Sequence, residues 1–159
     1  MVYATLGDRD KALDFYSRAA EMFIAMDDQY RAATALGNVA ATYAVLGQYQ
    51  KALDVQLRAL PMRQAVNDLD GTGISLHHIA NAYAHLNQKQ KALDYFKQAI
   101  PLLKENPRKL QAALRNLGNL YKDMGDTQNA LASLNEALQI SQNIGDRLSE
   151  SDVLVPLPN

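Results

Sequence analysis

Apolar residues recur along this chain at helical spacing. Leu36, Val39, Ala40 and Tyr43 stand at i, i+3, i+4 and i+7, the template of an amphipathic helix. Leu76, Ile79, Ala80 and Tyr83 repeat it, and Leu114, Leu117, Gly118 and Tyr121 repeat it again. A second kind of helical segment follows each of these. Ala52, Gln56 and Ala59, and likewise Ala92, Phe96 and Ala99, place small residues where neighbouring helices approach and a larger one between them to fill the gap. The two kinds alternate with a period of about 40 residues, marked by Gly7, Gly47, Asn87 and Gly125. Tyr3, Tyr43, Tyr83 and Tyr121 precede the markers, and Ala12, Ala52, Ala92 and Ala130, then Ala19, Ala59, Ala99 and Ala137, follow them at fixed offsets. A glycine at the marker supplies the left-handed residue that ends a helix, and asparagine is the best substitute. The pattern predicts an all-α chain of two-helix periods.

Cap and turn signals divide it. Asn106-Pro107 places a capping side chain before a proline at the first helical position. Asp8 and Asp126 read as N-caps of second helices. Asp28, the stretch Asp70-Gly71-Thr72-Gly73 and Asp146 mark the remaining joints, the glycines reading as an inter-repeat loop. One domain results, with an incomplete first repeat over 1–28, repeats over 29–70, 71–106 and 107–145, and the start of a truncated fifth helix with a tail over 146–159. Pro61 and Pro101 fall at equivalent places late in two second helices, which leaves two readings: solvent-side kinks, or helices that end there.

Composition narrows the chemistry. A chain of 159 residues buries enough surface to fold without a disulfide or a metal, and it has no cysteine. Thiolate catalysis and zinc sites built on cysteine are therefore excluded. Sixteen basic residues against 17 acidic ones give a net charge of −1, which argues against nucleic-acid binding driven by counterion release. No apolar run reaches membrane-spanning length. Asp8, Arg9, Asp10 and Lys11 interrupt the N-terminus before a signal-peptide core forms, so a cytoplasmic protein without a membrane partner is expected.

Leu114, Leu117, Gly118, Tyr121, Gly125, Ala130, Leu134 and Ala137 together resemble the signature of the tetratricopeptide repeat. Ala40 and Ala80 replace the first glycine of that signature, and Gln56 and Leu134 depart from the aromatic held by Tyr16 and Phe96. The long period is similar to the subclass found in kinesin light chains, the spindle-orientation protein Pins and bacterial multidomain regulators. The resemblance implies a right-handed superhelical solenoid of antiparallel helix pairs that acts by binding. Its first helices would line a concave groove for a peptide segment of another protein. Carried across position by position, the groove residues are Asn38, Ala41 and Val45, then His77, His78, Asn81 and His85, then Arg115, Asn116, Asn119 and Lys122. An asparagine on a helix face has donors and an acceptor suited to a peptide backbone. The same asparagines would equally serve to hydrogen-bond the adjacent helix.

His77, Asn81 and His85 lie at i, i+4 and i+8, so about 12 Å of helix separates the two histidines, too far for one metal. No metal and no cofactor is expected. The chain lacks GxSxG, Walker A and GxGxxG motifs, and Asp14, Asp54 and Asp94 recur at one repeat position as a solvated face. The sequence therefore predicts a non-catalytic interaction module. The alternatives are a structural element that self-associates through uncapped ends, or a regulatory arm of a larger multidomain protein.

Overall fold

The computed structural model describes residues 6–145. Among the described residues stand seven helices and no strand: α1 (Leu6–Ala25), α2 (Gln29–Val45), α3 (Tyr49–Ala65), α4 (Leu69–His85), α5 (Lys89–Leu102), α6 (Pro107–Asp123) and α7 (Thr127–Ile144). Tyr3 and the fifth helix expected after 145 lie outside those residues. α2 packs on α3, α4 on α5 and α6 on α7; α1 with α2, α3 with α4 and α5 with α6 join each pair to the next. α4 and α6 also touch directly. The result is an all-α solenoid of helix pairs, as the period predicts.

One left-handed residue closes most turns. Gly47 (φ 72°), Asn87 (φ 59°) and Gly125 (φ 80°) do so within pairs, as the spacing predicts. Asp27 (φ 56°) and Asn67 (φ 53°) do the same between pairs, because a short polar side chain tolerates this backbone. α2, α4, α6 and α7 then start on a capping side chain, whereas α3 and α5 follow Gln48 and Gln88, whose side chains make no cap hydrogen bond. The carboxylates of Asp28, Asp68 and Asp126 accept from the backbone N–H of Arg31, Gly71 and Asn129 at 3.0, 2.9 and 3.1 Å. Asn106 accepts from Lys109 at 3.4 Å, with Pro107 opening α6.

Two local expectations need correction, and the two readings of the prolines divide between them. Gly71, Thr72 and Gly73 are not a loop; they are buried inside α4, which begins at Leu69. A Cβ on Gly71 would run into the Asp68 carboxylate and the Arg63 guanidinium, which pair at 2.8 Å. A Cβ on Gly73 would lie 2.9 Å from Leu103 Cδ2. These glycines serve close packing, and the joint sits just upstream. Asp8 and Gly7 lie within α1, so Asp8 faces the helix dipole from the first turn instead of capping it. The prolines behave differently from each other. α3 runs through Pro61 to Ala65, whereas α5 ends at Leu102, directly after Pro101. Both prolines are exposed, as are Leu57 and Lys97 four residues earlier, so the carbonyl each proline deprives of its N–H lies on the solvent side.

The core follows the period. Ala59, Ala92, Ala99 and Ala137 have no exposed surface, and Ala52 and Ala130 have almost none. Tyr83 and Tyr121 pack against the cluster of Ala80, Leu93, Phe96, Leu117 and Leu120. These tyrosines are helix–helix packing and offer no stacking platform.

Candidate binding groove

The first helices α2, α4 and α6 present corresponding positions to one side of the solenoid. Asn38, His78 and Asn116 share one register, Ala41, Asn81 and Asn119 a second, and Val45, His85 and Asp123 a third. Three cavities open along this side. The first, of 370 Å³, lies where α1 meets α2, with Asp8, Tyr16, Asn38 and Val45 in its walls. The second, of 270 Å³, lies between α2, α3 and α4 and shares Ala41 and Val45 with the first. The third, of 210 Å³, lies between α4 and α6 and shares Asn81 and His85 with the second. Shared lining residues set the three side by side along one face.

The residues singled out by sequence divide by depth. Asn38, Ala41, Val45 and Asn119 are exposed in the groove, and Asn116 lines its third cavity. His85 is exposed, and its ring stacks on Tyr49 of α3 at 4.0 Å with parallel planes. Lys122 is exposed in the last turn of α6, and Arg115 is half-buried. Asp123 lines the third cavity beside Lys122, so that end of the groove carries both signs of charge.

His77 faces inward and is 5% exposed. Its Nε2 lies 3.1 Å from the Asn81 amide nitrogen and 3.0 Å from that of Asn116 on α6. With the carboxamides donating, Nε2 accepts and the ring proton sits on Nδ1, which is buried without a partner among the described residues. Burial, with smaller contributions from His78, Lys109 and Arg115, lowers its pKa from 6.5 to about 3. His78 is lowered too, by burial and then by Lys109 and Arg63. His77 therefore ties α4 to α6 as a neutral ring, and Asn81 and Asn116 each direct an amide group to that tie. Among the described residues no group of three or more His, Cys, Asp or Glu is placed to hold a metal.

Second helices also contribute to the groove, which was not predicted: Asp8 and Tyr16 of α1 line the first cavity, and Tyr49 and Gln56 of α3 line the second. The signal for Gln56 was its polarity at a position otherwise held by Tyr16, Phe96 and Leu134.

Family models of the tetratricopeptide repeat match residues 30–105 and 113–144. The chain belongs to the tetratricopeptide-repeat family. Solved structures share this family fold. BtubC (BKLC) from P. vanneervenii is 21% identical with a TM-score of 0.76, over 96% of this chain and 61% of its own. A Rap protein complexed with competence and sporulation factor is 16% identical with a TM-score of 0.81, over 89% of this chain and 40% of its own. A putative kinesin light chain from Podosopora anserina with nearly identical TPR-like repeats is 17% identical, TM-score 0.67, over 92% of this chain and 84% of its own. The chain thus spans less than two-thirds of the length of each of the first two. A comparison with curated proteins finds no match. In tetratricopeptide-repeat terms, the groove found here lies on the first-helix side, and no helix among the described residues is long and apolar enough to cross a membrane.

Proposed function

We propose that this chain is a non-catalytic interaction module that holds an extended peptide segment of a partner protein in the groove. The observation that carries this reading is the row of three adjacent cavities from α1 to α6, each sharing lining residues with the next. A segment laid along them meets Asn38, then His85 and Asn81, then Asn119, at intervals set by the repeat. Asn38 and Asn119 are exposed, and their carboxamides supply both a donor and an acceptor to a peptide backbone. A rigid helix array leaves most of the ordering entropy to the ligand alone. The Rap protein among the structural neighbours is complexed with another factor, which is consistent with this use of the fold.

The test is a random peptide library displayed on phage and panned against the chain, with enriched peptides titrated against the wild type and Asn38→Ala/Asn119→Ala. Loss of two hydrogen bonds, each worth about 0.5–1.5 kcal/mol, should weaken binding roughly ten-fold with the fold intact. Asn81 is left untouched because it also supports His77. Unchanged affinity in the folded double variant would move the site off the groove and favour a structural or self-associating role.

A further inference from the structure

Buried His77 fixes more than the contact between α4 and α6. A carboxamide carries its nitrogen and its oxygen on opposite sides of one carbon. Asn81 and Asn116 both turn the nitrogen to His77 Nε2, at 3.1 and 3.0 Å, so each carbonyl oxygen is turned away from the ring. Swinging either amide round would set its oxygen against the lone pair of Nε2. The ring, with its pKa lowered to about 3, stays neutral at ordinary pH and keeps that lone pair. Both asparagines line the third cavity, of 210 Å³, and the oxygens are the ends left to meet it.

The rest of the wall has the same sign. Asp123 brings an exposed carboxylate that enters no ion pair among the described residues. Lys89 donates to the Asp123 backbone carbonyl at 2.8 Å, and among the described residues no lysine or arginine lines the cavity. Ala84 and His85 belong to the last turn of α4, Leu120 and Asp123 to the last turn of α6. Partial negative charge gathers at such helix ends. Two fixed amide oxygens, a carboxylate and two helix C-termini favour a cation rich in donors. A guanidinium offers five N–H groups in one plane and meets several fixed acceptors at once, whereas an ammonium is a compact point charge with three. A cavity of about 150 Å³ already accepts benzene, so the flat guanidinium fits.

We infer that the third cavity receives the guanidinium of an arginine from the segment bound in the groove. Its N–H groups donate to Asn81 Oδ1, Asn116 Oδ1 and the Asp123 carboxylate. His77 is the positioning residue, because it holds both amides with their oxygens outward. The assignment rests on the groove reading above, but small probes test it separately.

Isotope-labelled protein is titrated with N-acetylarginine methylamide and followed by NMR, beside the lysine analogue and the uncharged, similarly shaped citrulline analogue. The arginine probe should shift the Asn116, Asn119 and Asp123 signals saturably. It should bind roughly ten-fold more tightly than the citrulline probe, because a hydrogen bond to a charged group outweighs a neutral one. Raising the salt to about 0.5 M should narrow that gap. The Asn81 and Asn116 carbonyl carbons should shift while their amide protons stay protected from exchange, which reads the orientation set by His77. Asp123→Asn, at an exposed position on the last residue of α6, keeps the fold and should bring arginine down to the citrulline level. Absence of saturable shifts, equal binding of arginine to either analogue, or no effect of Asp123→Asn overturns the inference. In the library experiment, peptides enriched on the wild type should carry an Arg whose advantage disappears on Asp123→Asn. Peptides that need Asn38 and Asn119 but ignore Asp123→Asn sink the arginine site and leave the groove standing. Peptides indifferent to the asparagines sink the groove, and the probe titration still decides the arginine site.

Discussion

His77 shows how much a single side chain can change role between sequence and structure. Its spacing put it on a polar stripe of the groove, yet its ring is buried against Asn116, which lies one repeat further along the chain. The stripe was legible; its depth was not, because helical spacing says nothing about which neighbouring helix covers a face. Burial has a consequence for stability. The folded ring titrates near 3 and the unfolded one near 6.5, so between these values the unfolded state binds the extra proton. The contribution is fully present above about pH 6.5 and is lost as pH falls towards 3. A slope of about 1.4 kcal/mol per pH unit follows, or about 2 kcal/mol lost by pH 5 from His77 alone, with His78 acting in the same direction. Urea denaturation at pH 7, 6 and 5 checks this. His77→Leu should lower stability at pH 7 and flatten the slope by that one proton.

Within the helices, small residues set the approach. Ala92 is completely buried where α5 meets its neighbours, so Ala92→Leu should overpack the contact and cost about 1–3 kcal/mol. Gly118 makes a sharper case. Glycine to alanine in a helix interior is ordinarily favourable by about 1 kcal/mol, and Ala40 and Ala80 hold the equivalent position in two earlier repeats. Here a Cβ would lie 2.6 Å from Leu134 Cγ and 3.3 Å from the Ala130 carbonyl oxygen. Gly118→Ala should therefore destabilise by about 1–2 kcal/mol, measured as a lower denaturation midpoint with an unchanged m-value. The helices themselves were legible from periodicity, and the caps Asp28, Asn106 and Asp126 from residue type. Gly71 and Gly73 misled because glycine marks both a loop and a close contact. Only the positions of Arg63, Asp68 and Leu103 distinguish the two.

Across the whole molecule, the first helix differs from its counterparts. Phe15 and Met22 of α1 are 68% and 65% exposed. The corresponding Val55 and Met62 of α3 are half-buried, packed on the cluster that contains Ala20 and Ala33. In a sample shown to be monomeric, the amides of α1 should exchange with solvent faster than those of α3 or α5. Uniform protection in that sample would contradict it. The repeat itself was plain in the sequence, whereas the side assigned to the groove came from the family resemblance. The outward turn of the Asn81 and Asn116 oxygens was not legible, because it depends on His77 meeting residues of two different helices.

The packing described above joins each helix almost wholly to the ones beside it in the chain, with α4 and α6 the nearest thing to a longer reach. Contacts that close only short loops give a low contact order, and chains of that kind cross their folding barrier quickly. Among the described residues no strand has to wait for a distant partner. Nucleation can begin at any pair and spread outward, and under mechanical tension the array should shed pairs one after another from an end instead of yielding all at once.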